Sequence, residues 1–359
     1  MRRAIPLAVL AGLAVAILVW MALGGRPSVS GGQELTSRDA RSSRDERPGV
    51  KGQPPAAGVQ RPAPARPQGT LVQATWGSGP GQLGRSRPNE GNPEAPSSFT
   101  LDQEGRLLVL DRTNGRIARY DKDGRPLDPI ALTQRSPQEI ITAPDGSTVV
   151  MDRLADKSAA IFDKEGKLKG ELPITGKGLE QGGSATGLFA DEKGIYVESE
   201  HGELIRIGDT TGKVDEQRPP LDGRPTRDGR SLLSAGVIDP ASGRFWVRAV
   251  DRASGQTRFQ QQVTLSVPYL SIIFLDSDRA GGIYAGAHVA RELEPGKMSD
   301  EAVHVVCLGT RGEVRGVAVL PANTMPEETF RDLAVHDDGT IVYMVRSEAG
   351  VAVRSYRCN

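Results

Sequence analysis

The sequence predicts an all-β protein, a six-bladed β-propeller with four-stranded blades, and three observations support this. After residue 97, a pattern of apolar strand, acidic glycine-containing turn and apolar strand recurs six times. The turn glycines lie 39 to 57 residues apart, near the 40 to 50 residues of a propeller blade. No helical period separates the copies, which favours radial repetition of sheets.

The repeated hairpins have the turn chemistry that a tight reversal requires. Each has Asp or Asn near the corner and Gly where the backbone needs a positive φ. Further strands follow the first three copies at 114–127, 158–174 and 202–214, so each unit alternates strands and turns. The six hairpins cover residues 98–111, 141–152, 187–199, 235–248, 273–287 and 333–345.

Closure of the ring is expected to involve the start of the repeat region. The sixth unit has three strands, around 330–335, 341–345 and 351–357, and the sequence then ends without a fourth. GTLVQATWG at 69–77 has strand composition and no other partner. We therefore predict that strand 69–77 completes the last blade and seals its edge, giving a propeller domain over 70–359.

The N-terminal region predicts a membrane anchor. Ile5 to Leu23 form nineteen uncharged, mostly apolar positions, a helix of about 28 Å that would span a bilayer core. Arg2 and Arg3 precede it, so the N-terminus is expected to be cytoplasmic and the remainder extracytoplasmic, periplasmic where an outer membrane exists. Residues 1–24 thus form an uncleaved anchor that contacts lipid through 5–23; a cleaved signal peptide is the alternative.

Residues 25–69 predict a disordered tether. They are rich in Pro, Gly and Arg and contain few large apolar side chains, so burial cannot offset the entropy of ordering. Residues 1–69 carry ten basic and four acidic side chains, and the rest of the chain carries 35 basic and 41 acidic ones. This balance argues against a basic nucleic-acid-binding surface.

The stretch WGSGPGQLG has the G-x-G-x-x-G spacing at Gly79, Gly81 and Gly84. A dinucleotide loop needs a following helix whose N-terminus holds the pyrophosphate. RSRPNEGNPEAP follows here, with three prolines and no apolar period, so no dinucleotide is expected. The glycines are assigned to the turn that leaves the closing strand.

One blade resembles a known repeat. VLDRTNGRIARYDKDG at 109–124, with the upstream GPGQL, is similar to the NHL repeat. The matching positions are Asp111, Asn114, Arg116, Ile117, Tyr120, Asp121 and Gly124. The second blade keeps Asp152 and the Phe162-Asp163 pair, and the later blades keep little beyond the turns. The resemblance implies the propeller fold; its family includes binding platforms and lyases, and fold-mates include metal-dependent lactonases.

No linear motif predicts catalysis. The histidines, His201, His288, His304 and His336, form no zinc-type pair. No cofactor is predicted, although Ca²⁺ or another divalent cation held on the axis by several blades would leave almost no linear trace. Cys307 and Cys358 are the two cysteines. The sequence leaves open whether they pair or remain buried thiols in neighbouring strands.

Two features are candidates for ligand or partner recognition. The first is a polar rim near the ends of the second strands, formed by Asp111, Arg112, Asn114, Arg153, His201 and Arg248. The alternative for Asp111 is a pair with Arg116 inside its blade. The second is the blade-five insertion 287–302, with His288 and Arg291, because long loops in compact folds are functional or disordered. DGRPTRDGR at 222–230 is interpreted as a solvated loop between blades.

These observations predict a membrane-tethered, extracytoplasmic propeller that binds a protein or a cell-envelope component without catalysis. The alternative is a propeller hydrolase, similar to lactonases, or a lyase, with a divalent cation on the central axis. The identity of the partner and the oligomeric state stay open at this point.

Overall fold

A computed structural model describes residues 64–294 and 297–358, which all belong to one compact unit. Within these residues, twenty-four strands form six four-stranded antiparallel sheets, the predicted propeller. The anchor at 1–24 and nearly all of the tether at 25–69 lie outside the described residues. Where the structure is described, it contains no helix with the length and apolar character needed to cross a bilayer.

The first three blades follow the chain in order. Blade one contains β2 (Phe99–Leu101), β3 (Leu107–Asp111), β4 (Arg116–Tyr120) and β5 (Pro126–Ala131), with a 3₁₀ turn at Arg112–Asn114. Blade two contains β6 (Glu139–Thr142), β7 (Thr148–Asp152), β8 (Ser158–Phe162) and β9 (Leu168–Pro173). Blade three follows a 3₁₀ turn at Gly182–Ser184 and contains β10 (Ala185–Asp191), β11 (Gly194–Ser199), β12 (Leu204–Gly208) and β13 (Pro220–Leu221).

The last three blades include the longest strands. Blade four contains β14 (Arg224–Pro225), β15 (Ser231–Asp239), β16 (Arg244–Asp251) and β17 (Thr257–Thr264). Blade five contains β18 (Tyr269–Ser277), β19 (Ile283–Glu294), β20 (Lys297–Leu308) and β21 (Val314–Pro321). Blade six contains β22 (Leu333–Val335), β23 (Ile341–Ser347), β24 (Gly350–Tyr356) and, from the other end of the domain, β1 (Gly69–Thr75).

Strand β1 is the outer strand of blade six. It pairs antiparallel with β24 from Gly69, opposite Ser355, to Thr75, opposite Gly350. Val72 and Ala74 of β1 are buried against blades six and one. The two ends of the propeller domain thus share one sheet, as a ring closure requires.

The innermost strands of the blades run parallel to one another along the axis, as the parallel bridge between Ser98 and Arg331 shows for blades one and six. The first and second strands of every blade are therefore joined on one face, here named the lower face. The second and third strands are joined on the opposite, upper face. Apolar clusters fill the spaces between blades one and two, two and three, four and five, five and six, and six and one. Blades three and four are joined by the ion pairs of Arg252 with Asp191 and of Arg224 with Glu198.

Blade four corrects the predicted register. The hairpin at 235–248 joins its second and third strands, β15 and β16, and not its first and second. The first strand is β14, and its turn to β15 lies at 226–230, inside the segment 222–230 that was expected to be a solvated loop. A two-residue strand of Arg and Pro has no apolar alternation, so the stronger hairpin nearby was assigned one strand too early.

The insertion of blade five is a β-hairpin arm and not an irregular loop. β19 pairs with β18 up to Val289 and continues to Glu294, where it pairs with Lys297 of β20. Five residues of strand extend about 15 Å, so the arm projects from the upper face. We name residues 290–301 the arm.

Cys307 and Cys358 form a disulfide, with their Cα atoms 6.3 Å apart. The bond links the third strand of blade five to the segment after the last strand of blade six. The sequence left this pairing open. The disulfide therefore connects blade five to blade six, the blade that β1 completes.

Candidate functional site

A cavity of about 660 Å³ opens on the lower face around the propeller axis. Its walls are the lower ends of the innermost strands and the turns that follow them, from all six blades. Charged side chains dominate: Asp102, Asp191, Glu192, Asp228, Asp276 and Asp337 face Lys193, Arg227, Arg230, Arg252, Arg279 and Arg331. The formal charges balance, so the cavity suits a polar ligand better than a strongly anionic one.

Most of the arginines are held by carboxylates of the wall. Arg227 forms ion pairs with Asp276 at 3.2 Å and Asp337 at 3.4 Å. It also donates from Nε to the carbonyl of Ser277, at 2.8 Å. Arg252 is buried against Asp191. These pairs make the wall rigid and leave few charges unpaired.

The floor of the cavity crosses the channel. Arg331, from blade six, donates to Oε1 of Glu139 in blade two at 2.6 Å and to the carbonyl of Leu188 in blade three at 2.9 Å. The guanidinium groups of Arg331 and Arg224 both lie over the ring of Phe189, at 5.2 Å and 4.9 Å from its centre, in a cation–π arrangement. Arg331 therefore joins three blades in the middle of the channel.

Glu139 is the most deeply buried acid of this floor. Burial raises the pKa of its carboxyl group, although Arg331 favours the charged form. Its second oxygen, Oε2, is buried and has no hydrogen-bond partner within the described residues. The guanidinium of Arg331 and, to a smaller extent, the backbone of Leu188 offset only part of the desolvation of this carboxylate.

Asp338, in the turn between β22 and β23 on the lower face, is expected to form an acid-sensitive contact. Burial raises the pKa of Asp338, but hydrogen bonds from Thr340 and the charge of Arg357 outweigh burial and lower this pKa from 3.8 to about 2. An acid with a lowered pKa in the folded state stabilises the fold above its unfolded pKa, and this stabilisation is lost as the pH falls. We expect the melting temperature to fall between about pH 4 and pH 2. The fall should be smaller for Asp338→Asn; parallel melting curves for both proteins would contradict this.

On the upper face, Asp111 is fully buried and holds a loop. Its Oδ1 accepts from the backbone N–H of Gly84 at 2.8 Å, and its Oδ2 accepts from Asn114 at 2.8 Å and Arg116 at 2.9 Å. Asn114 and Arg116 also donate to carbonyls of the 77–82 segment. Both carboxylate oxygens of Asp111 therefore fasten the glycine-rich loop after β1.

Gly84 shows why that loop needs glycine. A Cβ at this position would lie 2.7 Å from Thr113, 2.9 Å from Asn114 and 2.9 Å from Asp111. Any other residue would push the loop away from the carboxylate. The G-x-G-x-x-G spacing thus coincides with a backbone packed onto blade one.

The other upper-face candidates have different surroundings. Arg112 is mostly buried and lies 3.5 Å from Glu94. Arg153 reaches the channel, where it donates to the carbonyl of Ala185 at 2.9 Å and lies over the ring of Phe330. His201 is exposed, with Nδ1 3.7 Å from Glu198. Arg153 and His201 thus border the upper channel mouth, whereas Arg112 packs beside the Asp111 loop.

Arg248 lies elsewhere than predicted. It is in the middle of β16, the third strand of blade four, opposite Ser234 and Gln260. The shifted register of blade four explains the error, since the second strand ends at Asp239. His288 is half-buried in β19, and Arg291 is exposed on the arm, 3.9 Å from Asp300. The eight candidates therefore do not form one cluster.

An apolar surface occupies the upper side of blades four and five. Val237 is 60% exposed and Leu270 is 52% exposed. Their strands meet where the backbone N–H of Tyr269 donates to the carbonyl of Pro240 at 3.1 Å. Ile238 and Ile273 are also exposed. We name Val237, Ile238, Leu270 and Ile273 the apolar corner.

The arm adds to this surface. Leu293 and Met298, near its tip, are both exposed. Six of the ten large exposed apolar side chains in the described residues therefore belong to the upper side of two adjacent blades. Single exposed apolar residues are ordinary, but a concentration in one region marks an interaction surface.

Comparison with known proteins supports no function. No protein-family model matches the sequence, and neither does any curated protein. Among solved structures, Kuenenia stuttgartiensis hydrazine synthase has a TM-score of 0.46 and 16% identity, over 72% of this chain and 76% of that one. Virginiamycin B lyase from Staphylococcus aureus has a TM-score of 0.41 and 13% identity, over 73% of this chain and 94% of that one. The WD40 propeller domain of Doa1 has a TM-score of 0.41 and 15% identity, over 76% of this chain and 84% of that one.

Residues 64–294 and 297–358 contain no group of three or more His, Cys, Asp or Glu side chains placed to hold a metal ion. The channel floor and the apolar corner were not identified from the sequence. Arg331 and Glu139 are 192 residues apart in the sequence, so no spacing rule connects them. The one available signal is the apolar run YLSIIFL at 269–275, of which only the part from residue 273 is predicted to be a hairpin strand.

Proposed function

We propose that this protein is an exported, membrane-tethered propeller that binds another protein of the cell envelope and has no catalytic activity of its own. The binding surface is the upper side of blades four and five. The observation that carries the proposal is the apolar corner together with the exposed apolar side chains of the arm. Monomeric proteins rarely leave such side chains grouped in water unless a partner covers them.

The geometry of this surface favours a protein partner. The arm projects beside the apolar corner, and it carries four acidic and two basic side chains around Leu293 and Met298. Apolar centres with charged surroundings are typical of protein interfaces. The balanced, internally paired cavity of the lower face offers no comparable unpaired surface.

Two features support an extracytoplasmic location. The apolar run at 5–23 follows two arginines, as in anchors whose following domain is exported. The Cys307–Cys358 disulfide is of the kind that persists in oxidising compartments. We also assign blade one to the NHL type of repeat, since Asp111, Asn114 and Arg116 act together in holding the loop before the blade.

Photo-cross-linking in living cells tests the proposal. A photoreactive side chain placed at Leu270 of the full-length chain should give a discrete adduct with another protein, because this position lies inside the proposed interface. Ile273→Asp in the same chain should reduce the adduct at least fivefold, because a carboxylate would be desolvated in the contact. Its melting temperature should change little, since the side chain is exposed.

Val314 supplies the matched control. It is 51% exposed on β21, away from the apolar corner. A photoreactive group there should give no discrete adduct, and Val314→Asp should leave the adduct at position 270 unchanged. Equal adducts at both positions, or none at 270, would reject the proposed surface.

A further inference from the structure

Blade four lacks the upper half of its first strand. The connection from β13 of blade three to β14 has two residues, Asp222 and Gly223. β14 pairs only with Leu232 and Leu233, while β15 continues to Asp239. No strand in the described residues pairs with the inner edge of 234–239. We name this gap the blade-four slot.

The slot presents backbone hydrogen-bonding groups. The N–H of Thr226 donates to the carbonyl of Ser231 at 2.9 Å, so the backbone polar groups of Ser231 point toward the first strand. Groups on one edge of an antiparallel strand alternate with a period of two. The N–H and C=O groups of Ala235 and Val237 therefore face the slot. Residues 234 and 236 bond outward to β16.

Apolar side chains lie on both sides of this edge. Val237 is opposite Phe245, on the side where blade four packs against blade five and where Leu270 is exposed. Ile238 is exposed next to it, and the ring of Trp246 covers Gly236 so closely that a Cβ there would be 2.3 Å away. An extended chain in the slot would thus find backbone partners in the middle and apolar contacts beside them.

The net charge beside the slot comes from the arm. Asp222, in the connection, has a side chain that is 88% exposed, and it forms an ion pair with Arg248 of β16 at 3.4 Å, so these two charges offset each other. The arm, beside the apolar corner, carries twice as many acidic as basic side chains. A segment with basic residues next to its apolar ones would complement this surrounding.

We propose that the slot binds an extended, proline-free segment of a partner protein by β-augmentation, and that the segment has alternating apolar residues with basic flanks. The segment takes the place of the missing half-strand and pairs with Ala235 and Val237. Backbone bonds supply affinity and the apolar contacts supply selectivity. This inference rests on the proposed function, because it names the mode of binding at the apolar corner.

Hydrogen exchange and binding of a defined peptide test the inference. The probe is a fluorescent ten-residue peptide of alternating valine and threonine between lysine pairs, added to the full-length chain. At saturation, amide exchange at Ala235 and Val237 should slow at least tenfold, and exchange at Leu232 and Leu233 should not change. The same peptide with N-methylated alternate amides should bind at least tenfold more weakly, because it lacks donors for the edge.

Two substitutions at one position complete the test. Val237→Pro removes the inward N–H while leaving the bonds of residues 234 and 236 to β16, so it should weaken peptide binding at least tenfold. Val237→Thr keeps the N–H and the branched shape and should stay within twofold of the parent. If Val237→Pro does not fold, the N-methylated peptide still decides. Binding without protection of Ala235 and Val237, or equal binding of both peptides, overturns β-augmentation.

The outcomes also separate this inference from the proposed function. If Ile273→Asp removes the cellular adduct but Val237→Pro and the exchange data show no effect, the surface binds its partner without strand addition. If Ile273→Asp has no effect on the adduct, the proposed function itself fails. Loss of both the adduct and the amide protection supports both proposals.

Discussion

Removing strand β1 is expected to abolish the stable fold of the propeller. A chain that begins at residue 85 would lose the backbone bonds of β1 to β24 along six paired positions and the burial of Val72, Ala74 and Leu83. Each hydrogen bond contributes roughly 1 kcal/mol, and burying Val72 or Leu83 roughly 2 kcal/mol. The total is comparable with the whole stability of a domain, about 5–15 kcal/mol. Thermal unfolding should show no cooperative transition, or one far below that of the parent.

The matched control is a chain that begins at residue 64. It keeps β1 and the bond from the N–H of Ala65 to the carbonyl of Val319, so its melting temperature should equal that of the full-length chain. In the full-length chain, Val72→Asp should reproduce most of the loss, because it buries a carboxylate in the cluster between blades six and one. Equal melting temperatures for the chains from 64 and from 85 would show that β1 does not stabilise the ring.

The architecture was accessible from the sequence because turn chemistry is local. The glycine and acidic residues of five inner hairpins lie within a few positions of the strands they join, so the repeat could be seen without an alignment. The closing strand followed from counting, since one unit lacked its fourth strand and one segment lacked a partner. The predicted strand order of blade four is wrong because β14 contains only Arg224 and Pro225, which are too few residues for an alternating pattern.

The arm shows a second limit of local patterns. Its strands are mostly charged or polar and lie in water rather than against a core, and both faces of 291–294 are exposed. Hydrophobic periodicity reports burial on one side, so a strand exposed on both sides reads as a loop. Pairing between β19 and β20, which holds the arm together, has no signature of its own in the sequence.

The channel and the apolar corner depend on contacts between blades. Arg331 meets Glu139 and Leu188 across the axis. The strands that carry Val237 and Leu270 meet only because the end of β15 and the start of β18 lie at one corner, joined by the bond from Tyr269 to Pro240. The radial fold therefore places such residues together through its topology. Among the predicted rim residues, Arg153 and His201 lie nearest to their predicted position on the upper face, because the ends of second strands in a propeller lie on one face.

Asp111 is the residue whose loss we expect to be most costly among the predicted site residues. Asp111→Ala would leave Arg116, whose side chain is 17% exposed, without its carboxylate, and the N–H of Gly84 and the amide of Asn114 without their acceptors. Removing one partner of a buried ion pair costs about 3–5 kcal/mol, because the other charge stays desolvated. We expect the free energy of unfolding to fall by about this amount, and trypsin to cleave faster after Arg85 because the glycine-rich loop is released.

Asp128→Ala is the matched control for this loss, because Asp128 lies in β5 of the same blade and is exposed. Its effect should stay within about 0.5 kcal/mol. Asp111→Asn separates charge from shape, since it keeps a hydrogen-bond acceptor for Gly84 but removes the charge that faces Arg116; its loss should lie between those of the two alanine variants. If Asp111→Ala instead unfolds like the parent but abolishes the cross-linked adduct at position 270, the carboxylate serves recognition rather than the loop. Both oxygens of Asp111 already accept hydrogen bonds from residues 84, 114 and 116, which favours the structural outcome.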